Sequence, residues 1–335
     1  MAKATEQKAR DSGPAAKWVG YRSDIKVLDC TIRDGGLMND HKFTPELVRN
    51  VYLACCEAGI DYMELGYKAS QRIYSPDEYG RWKFSTEDDV RRVVGDKQGS
   101  VKISVMADVD RTDYHDDILP RDKSVIDMVR VACYINQIPT ALDMLKDARD
   151  KGYETTVNLM SVSVVREREL DEALELLAES EAGTLYLVDS FGALYSEQIH
   201  YLIGKYLRYA RQAGKQVGIH THNNLELAFA NTIEAIIKGA NMLDASMAGL
   251  GRGAGNCRME LLLGFLHNPK YKLRPVLQCI QDHIEPLRKE LLWGFDHVYM
   301  LTGFRNQHPR AAMKHNASPD MADKVKFFDQ LVDEQ

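Results

Sequence analysis

The sequence predicts an α/β fold, a (β/α)8 barrel with a C-terminal helical extension, and three observations carry that prediction. A chain of 335 residues fits one large barrel plus a tail. From about residue 22 to residue 268, short apolar runs alternate with amphipathic stretches of helical spacing. Eight such runs can be counted, the number that closes a parallel barrel. A doubly wound parallel sheet shares the same rhythm and is the alternative.

Residues 1–21 are polar and rich in Ala and Lys, and read as a mobile arm without the apolar stretch of an export signal. Within the barrel, residues 22–268, strands are expected at Ile25–Cys30, Ile60–Gly66, Val101–Ala107, Val125–Cys133, Thr155–Ser161, Thr184–Asp189, Gln216–His222 and Met242–Ser246. Helices are expected between them at Pro45–Ala58, Thr86–Val94, Pro139–Lys151, Glu169–Glu181, Ser196–Ala213 and Glu226–Lys238, and after the last strand at Arg258–Leu266. The third crossover, Asp108–Lys123, is polar and weakly periodic, which predicts a loop or a broken helix. Over residues 269–335 the rhythm stops. A helix-like stretch, Val276–Leu292, leads there into a mixed segment through Trp293 and Tyr299, a helical extension packed on the barrel.

With 44% hydrophobic and 27% charged residues the chain can bury a full core. Its net charge of −6 and the lack of a dense Lys/Arg block argue against nucleic acid or an anionic membrane as partner and favour a small molecule. No window approaches ~18 uninterrupted apolar residues, so no membrane span is expected. Six cysteines without a C-x-x-C pair suit a reduced, cytoplasmic setting.

In such a barrel the reacting groups sit at the C-terminal ends of the strands. The seventh strand ends in Gly218-Ile219-His220-Thr221-His222. A period of two puts His220 and His222 on the face of Gly218, pointing into the mouth, with Val217 and Ile219 toward the helices. Two imidazoles so placed can chelate one divalent ion, although an arbitrary H-x-H is more often a pair of core or surface histidines. The first strand runs into Arg33-Asp34-Gly35-Gly36. Both charged residues can serve one site only if the chain turns there; a surface Arg–Asp pair fits this segment equally well. After the eighth strand, Gly249-Leu250-Gly251-Arg252-Gly253-Ala254-Gly255-Asn256 has Ala254 where a dinucleotide fingerprint needs its third glycine. A tight loop closing over the mouth is expected instead, with the Asn256 amide oxygen available to a metal or substrate. Glu64, Arg130 and Ser190 fall at inward strand positions, where they can bind substrate or serve as structural hydrogen-bonding groups.

Taken together, D-C-T-I-R-D-G-G at 29–36, H-T-H-N-N at 220–224 and G-L-G-R-G-A-G-N at 249–256 resemble the metal-dependent lyase and synthase superfamily of TIM barrels, the pyruvate carboxyltransferase-like domain. The superfamily includes 4-hydroxy-2-oxovalerate aldolase, hydroxymethylglutaryl-CoA lyase and isopropylmalate synthase. The aldolase is the best match, because V-R-V-A-C-Y at 129–134, N-L-M-S at 158–161 and V-D-S-F-G-A at 188–193 also look like its strands. The resemblance implies metal ligands at Asp34, His220 and His222 with Asn256 nearby, an enolate-steadying Arg33, and an active-site tyrosine at Tyr299. The implied cofactor is Mn²⁺ or Mg²⁺, with Zn²⁺ and Co²⁺ also suited to the ligands. The aldolases carry a histidine a few residues after R-D-G that acts as base, whereas Leu37 stands here. That leaves His41, Tyr299 or a water at the metal for the proton.

The implied activity is that of a lyase acting on a 2-oxo acid and an aldehyde through a pyruvate enolate, with an aldehyde partner of its own. A Claisen-type acyl-CoA synthase or acyl-CoA lyase is the second reading, disfavoured by Gly36-Leu37 where those synthases carry Glu-Gln. A non-catalytic barrel, motivated by Leu37, is the third. The extension suggests a homo-oligomer, most simply a homodimer; the aldehyde dehydrogenase partner of similar aldolases is less expected because this region diverges.

Overall fold

The computed structural model describes residues 22–95 and 100–333, so the arm expected over residues 1–21 lies outside the described residues. Eight parallel strands close into a barrel in sequence order: β1 (Lys26–Asp29), β2 (Tyr62–Tyr67), β3 (Lys102–Asp108), β4 (Met128–Cys133), β5 (Glu154–Leu159), β6 (Thr184–Asp189), β7 (Gln216–Thr221) and β8 (Met242–Ala245). β8 pairs back onto β1, which rules out the open doubly wound sheet. Helices Pro45–Ala58, Glu87–Val94, Ile138–Asp150, Glu167–Glu179, Ser196–Gln212 and Ala228–Lys238 fill the crossovers, and Met259–Leu266 follows β8. The third crossover holds only a one-turn helix, Tyr114–Asp117, and the turn Arg121–Lys123, as its weak periodicity implies.

Helix ends follow local chemistry. Thr44 accepts the Leu47 N–H ahead of Pro45, and Gly59, at φ +75°, ends that helix in the left-handed conformation. Val276–Leu292, read from sequence as one helix-like stretch, is broken into an α-helix Leu273–Cys279, a π-turn Ile280–Ile284 and a 3-10 segment Glu285–Lys289. Pro286 is the reason: it has no N–H to give and its ring crowds the preceding turn, so the ladder widens before it. Helices His297–Phe304, Arg310–Asn316 and Lys324–Asp333 complete the extension. Among the described residues no helix is long and apolar enough to cross a membrane.

Strand parity divides the core. Val27, Met63, Leu65, Val105, Val129, Leu185, Val217 and Ile219 face the helices in the main apolar cluster. Leu28, Tyr62, Met128, Tyr186, Val188 and Met242 fill the barrel interior. Pairings such as Leu28↔Asp244, Met106↔Arg130, Tyr186↔Gly218 and Val188↔His220 keep the inward residues in layers. Gly218 makes room inside: a Cβ there would lie 2.6 Å from the Tyr186 ring.

Asp29 alternates to the helix side of β1, fully buried, where Thr31 donates to it through N–H (3.1 Å) and Oγ1 (2.6 Å). Burial pushes its carboxyl up to about 7 despite those hydrogen bonds. A folded-state pKa above the unfolded value means that the folded chain holds the proton more tightly. The favourable contribution is therefore complete below about pH 4 and is lost as pH rises through 7. In urea unfolding at pH 4 and pH 8, Asp29→Asn should gain on the wild type at the higher pH, by a few kcal/mol at most (~1–4). An equal effect at both pH values would refute this.

Candidate metal centre and active-site cavity

Immediately after β1 the chain enters a five-residue helical turn, Thr31–Gly35. That turn brings Arg33 and Asp34 to one side, the requirement parity alone could not meet. The adjacent glycines are not there for unusual backbone angles, since Gly36 has φ −60° and Gly35 φ −59°. They are there because a Cβ on Gly35 would meet Leu250 Cγ at 2.8 Å, and one on Gly36 would meet His41 Nδ1 at 2.4 Å.

Asp34, His220 and His222 converge, all buried, with one ligand-capable atom from each lying within 4.8 Å of the others. Asp34 accepts hydrogen bonds from Arg33 Nη1 (2.7 Å), Asn256 Nδ2 (2.8 Å) and the Arg252 N–H (3.2 Å). Burial pushes the Asp34 carboxyl up, but His222, Arg33 and His220 outweigh it and hold the group well below the usual carboxylate range. Burial is also the main reason that His222 is held well below the usual histidine range; Arg252 adds to it and Asp34 opposes it. His220 Nδ1 faces Asp244 Oδ2 at 2.9 Å, which leaves Nε2 toward the site.

Among the buried atoms here without a hydrogen-bond partner are His220 Nε2, His222 Nδ1 and Asn256 Oδ1. Orphaned buried polar atoms are costly, and two imidazoles beside a carboxylate held well below its usual range form a donor set that fits a divalent cation. The Asp244–His220 contact is the arrangement that orients a metal-binding imidazole and raises its basicity.

The glycine loop closes over this group. Gly249, Gly253 and Gly255 have φ of +67°, +67° and +86°, and a Cβ on Gly251 would lie 2.5 Å from Asp34 Oδ2. The two asparagines after His222 hold the loop down: the Asn223 N–H donates to the Gly255 carbonyl (2.8 Å), and Asn224 Oδ1 accepts from the Ala254 N–H (3.3 Å). Asn256 is thereby bridged to His222.

Beneath Asp34, His220 and His222 runs a charged chain that sequence reading assigned only in part. Arg33 Nε donates to Glu64 Oε2 (2.7 Å), Arg130 Nη1 to the same oxygen (3.0 Å), and Arg130 Nη2 to Asp244 Oδ2 (2.7 Å). The Arg130 guanidinium lies over the Tyr186 ring, 4.4 Å from its centre. Glu64 and Arg130, expected among substrate-binding residues, are fully buried and do not line the cavity; they brace Arg33 and Asp244 from below. Asp244 escaped sequence reading, although its inward parity in a four-residue strand was a usable signal. Asp244→Asn should weaken metal binding about 10- to 100-fold by removing the charge behind His220. Titration with Mn²⁺ reads this directly, and unchanged affinity would contradict the assignment.

A cavity of about 180 Å³ opens above, lined by Arg33, Asp34, Leu37, Ser190, His220 and His222 among others. Ser190 Oγ accepts the Ser161 N–H (2.9 Å), and its carbonyl accepts from Arg252 Nη2 (2.7 Å). His41 and Tyr299 are not among the lining residues. His41 is buried edge-on to Tyr67 (5.2 Å between ring centres), its pKa lowered to about 3 by burial and by Lys83 and Arg33. Tyr299 packs behind the loop against Gly253 in the apolar cluster of the extension. What the extension does send to the cavity is His308 and Arg310, neither singled out from sequence. His308 Nε2 lies 3.3 Å from Arg252 Nη1, and its pKa is lowered to about 4 by burial and by Arg252, Arg310 and Arg111.

The family model described as HMGL-like matches residues 129–282. A 4-hydroxy-2-oxovalerate aldolase of Bacillus thuringiensis is 30% identical over 307 residues, 87% of each chain. An oxaloacetate decarboxylase of Mycobacterium tuberculosis is 30% identical over 249 residues, 72% of this chain and 69% of that one. Among solved structures, the N-terminal domain of a Bacteroides vulgatus protein provisionally described as an aldolase superposes with a TM-score of 0.74 at 28% identity, covering 88% of this chain and 97% of that one. The chain therefore belongs to the HMGL-like family of metal-dependent (β/α)8-barrel aldolases and lyases.

Proposed function

We propose that the protein is a divalent-metal-dependent lyase that makes or breaks the carbon–carbon bond next to a 2-oxo acid, through a pyruvate-type enolate and an aldehyde. The observation that carries this reading is the convergence of unused polar atoms on one cavity. His220 Nε2 and His222 Nδ1 lack partners beside Asp34, and so does Arg33 Nη2, although Arg33 Nε and Nη1 are both held by carboxylates. A bound cation supplies positive charge that polarises the keto oxygen of the 2-oxo acid. Arg33 then offers its free Nη2 to the oxygen on which negative charge develops, from a guanidinium that cannot swing away because Glu64 and Asp34 fix it. Leu37 and, from the glycine loop, Arg252 line the same space.

Both relatives named above fit this chemistry, since cleaving a 4-hydroxy-2-oxo acid and decarboxylating oxaloacetate each leave pyruvate enolate. For the proton on the aldehyde-derived hydroxyl, His308 is better placed than His41 or Tyr299, because it lines the cavity and they do not. Asp, two His and an amide oxygen suit Mn²⁺ or Mg²⁺. Self-association into a homo-oligomer belongs to the same proposal and is read by light scattering.

The protein incubated with pyruvate and Mn²⁺ in heavy water should exchange the pyruvate methyl protons, and with aldehydes it should form aldol adducts. Absence of both sinks the aldolase reading. CO₂ released from oxaloacetate without any aldol product would favour the decarboxylase, and thiol released from acetyl-CoA with a 2-oxo acid would favour the Claisen alternative.

A further inference from the structure

The cavity has a second end. Asp34, His220 and His222 come from the β1 and β7 side of the mouth. Asp108, at the end of β3, stands opposite β7 in the closed barrel, with Arg111 just beyond it and Lys83 in the segment after β2. Arg310 reaches the cavity from the extension.

This end carries more positive charge than it can balance. Arg33, Lys83, Arg111, Arg252 and Arg310 line the whole cavity against two carboxylates, Asp34 and Asp108. Asp34 is taken by Arg33 and the loop, and Asp108 pairs with Arg111 at 3.5 Å. Among the described residues, no carboxylate lies within ion-pair distance of Lys83 or Arg310.

Lys83 is the telling residue because it is only 6% exposed. Its Nζ lies over the ring of Tyr74, 4.1 Å from the centre, with Tyr67 at 4.8 Å and Tyr79 at 5.6 Å. Aromatic faces offset part of the cost of burying an ammonium, but they do not replace an anion. Burial and Arg111 lower its pKa, Asp108 being the opposing charge. A lysine this enclosed, facing a cavity with no carboxylate in ion-pair contact and only the more distant Asp108, itself paired with Arg111, to oppose its charge, is arranged for a negative group that arrives from outside. The rest of the lining mixes apolar side chains, Leu37, Met106, Met160 and Val188, with the polar Asn158, Ser161 and Ser190. Such a wall accommodates a carbon chain with the reacting carbonyl at one end and charge at the other.

We infer that the aldehyde partner carries an anionic group, a carboxylate or a phosphate, held at the end of the cavity formed by Lys83, Arg111 and Arg310. The inference rests on the aldolase reading and narrows it. A short neutral aldehyde would leave Lys83 unmatched, whereas an anionic one reaches the lysine while its carbonyl meets the enolate.

The test compares succinate semialdehyde and glyoxylate (carboxylates), glyceraldehyde 3-phosphate (a phosphate) and propionaldehyde (neutral) in aldol addition with pyruvate, for the wild type and for Lys83→Met and Arg310→Gln. One anionic aldehyde should exceed propionaldehyde in kcat/KM by at least ~10-fold, and each substitution should lower that ratio by about 10- to 100-fold. Which anionic aldehyde wins identifies the group. A preference for propionaldehyde, or a ratio unmoved by both substitutions, overturns the inference. A measurement without turnover separates it from the aldolase reading: succinate should bind the metal-loaded wild type at least ~10-fold more tightly than Lys83→Met. Melting temperatures identify a variant that merely fails to fold, in which case Arg310→Gln carries the comparison. Weaker succinate binding without any aldol chemistry would keep the anion site and sink the aldolase; equal binding with aldol chemistry intact would do the reverse.

Discussion

Asp34→Asn is expected to abolish stoichiometric metal binding and to lower pyruvate proton exchange by more than ~10³-fold, the largest effect of any single substitution at this site. Removing a carboxylate that only braces a metal-binding imidazole costs about 10- to 100-fold in affinity, so loss of a direct anionic ligand should exceed that range. Asp34 is also the point on which the site is assembled. Arg33, Asn256 and the backbone of Arg252 all donate to it, from segments more than 200 residues apart in two of the three cases. Asparagine keeps the shape and loses the charge that opposes the low pKa of His222. The readouts are metal content after desalting and exchange of methyl protons in heavy water. A variant that retained one metal per chain and kept its exchange rate would remove Asp34 from the proposed ligand set.

Much of this site was legible in the sequence, and what was missed has definite causes. Parity placed His220 and His222 inward, and Val217 and Ile219 are indeed in the helix-facing core, because a strand packed on both sides leaves no freedom of register. Parity could not place Asp34, since the decisive feature is a helical turn at Thr31–Gly35 whose glycines answer to crowding by Leu250 and His41 rather than to backbone angle. Asp244 lay within reach of the same parity argument. Its partner His220 is on the neighbouring strand, and no local pattern marks that pairing. His308 and Arg310 were beyond reach, for their segment has no periodicity and Arg252, the contact that draws His308 in, is 56 residues away. Lys83 reads in sequence as an ordinary loop lysine; only the fold gathers three tyrosines around it.

The second large effect is expected at Arg33. Arg33→Ala removes the guanidinium whose Nη2 is free to meet developing negative charge, and loss of one such donor typically lowers kcat by about 10²- to 10³-fold. It also leaves Glu64 sharing a single cation, Arg130, in a fully buried setting. Breaking one side of a buried ion pair costs about 3–5 kcal/mol, so the alanine variant should lose stability as well as activity. Arg33→Lys separates the two effects. An ammonium keeps the charge that Glu64 and Asp34 require but cannot present two held nitrogens and a free third in one plane. The lysine variant should therefore melt closer to the wild type and bind metal with an affinity near that of the wild type, while its kcat for proton exchange falls nearly as far as that of alanine. If instead lysine restored turnover in proportion to stability, Arg33 would be a structural counter-ion for Glu64, and the enolate would have to be steadied by the metal alone.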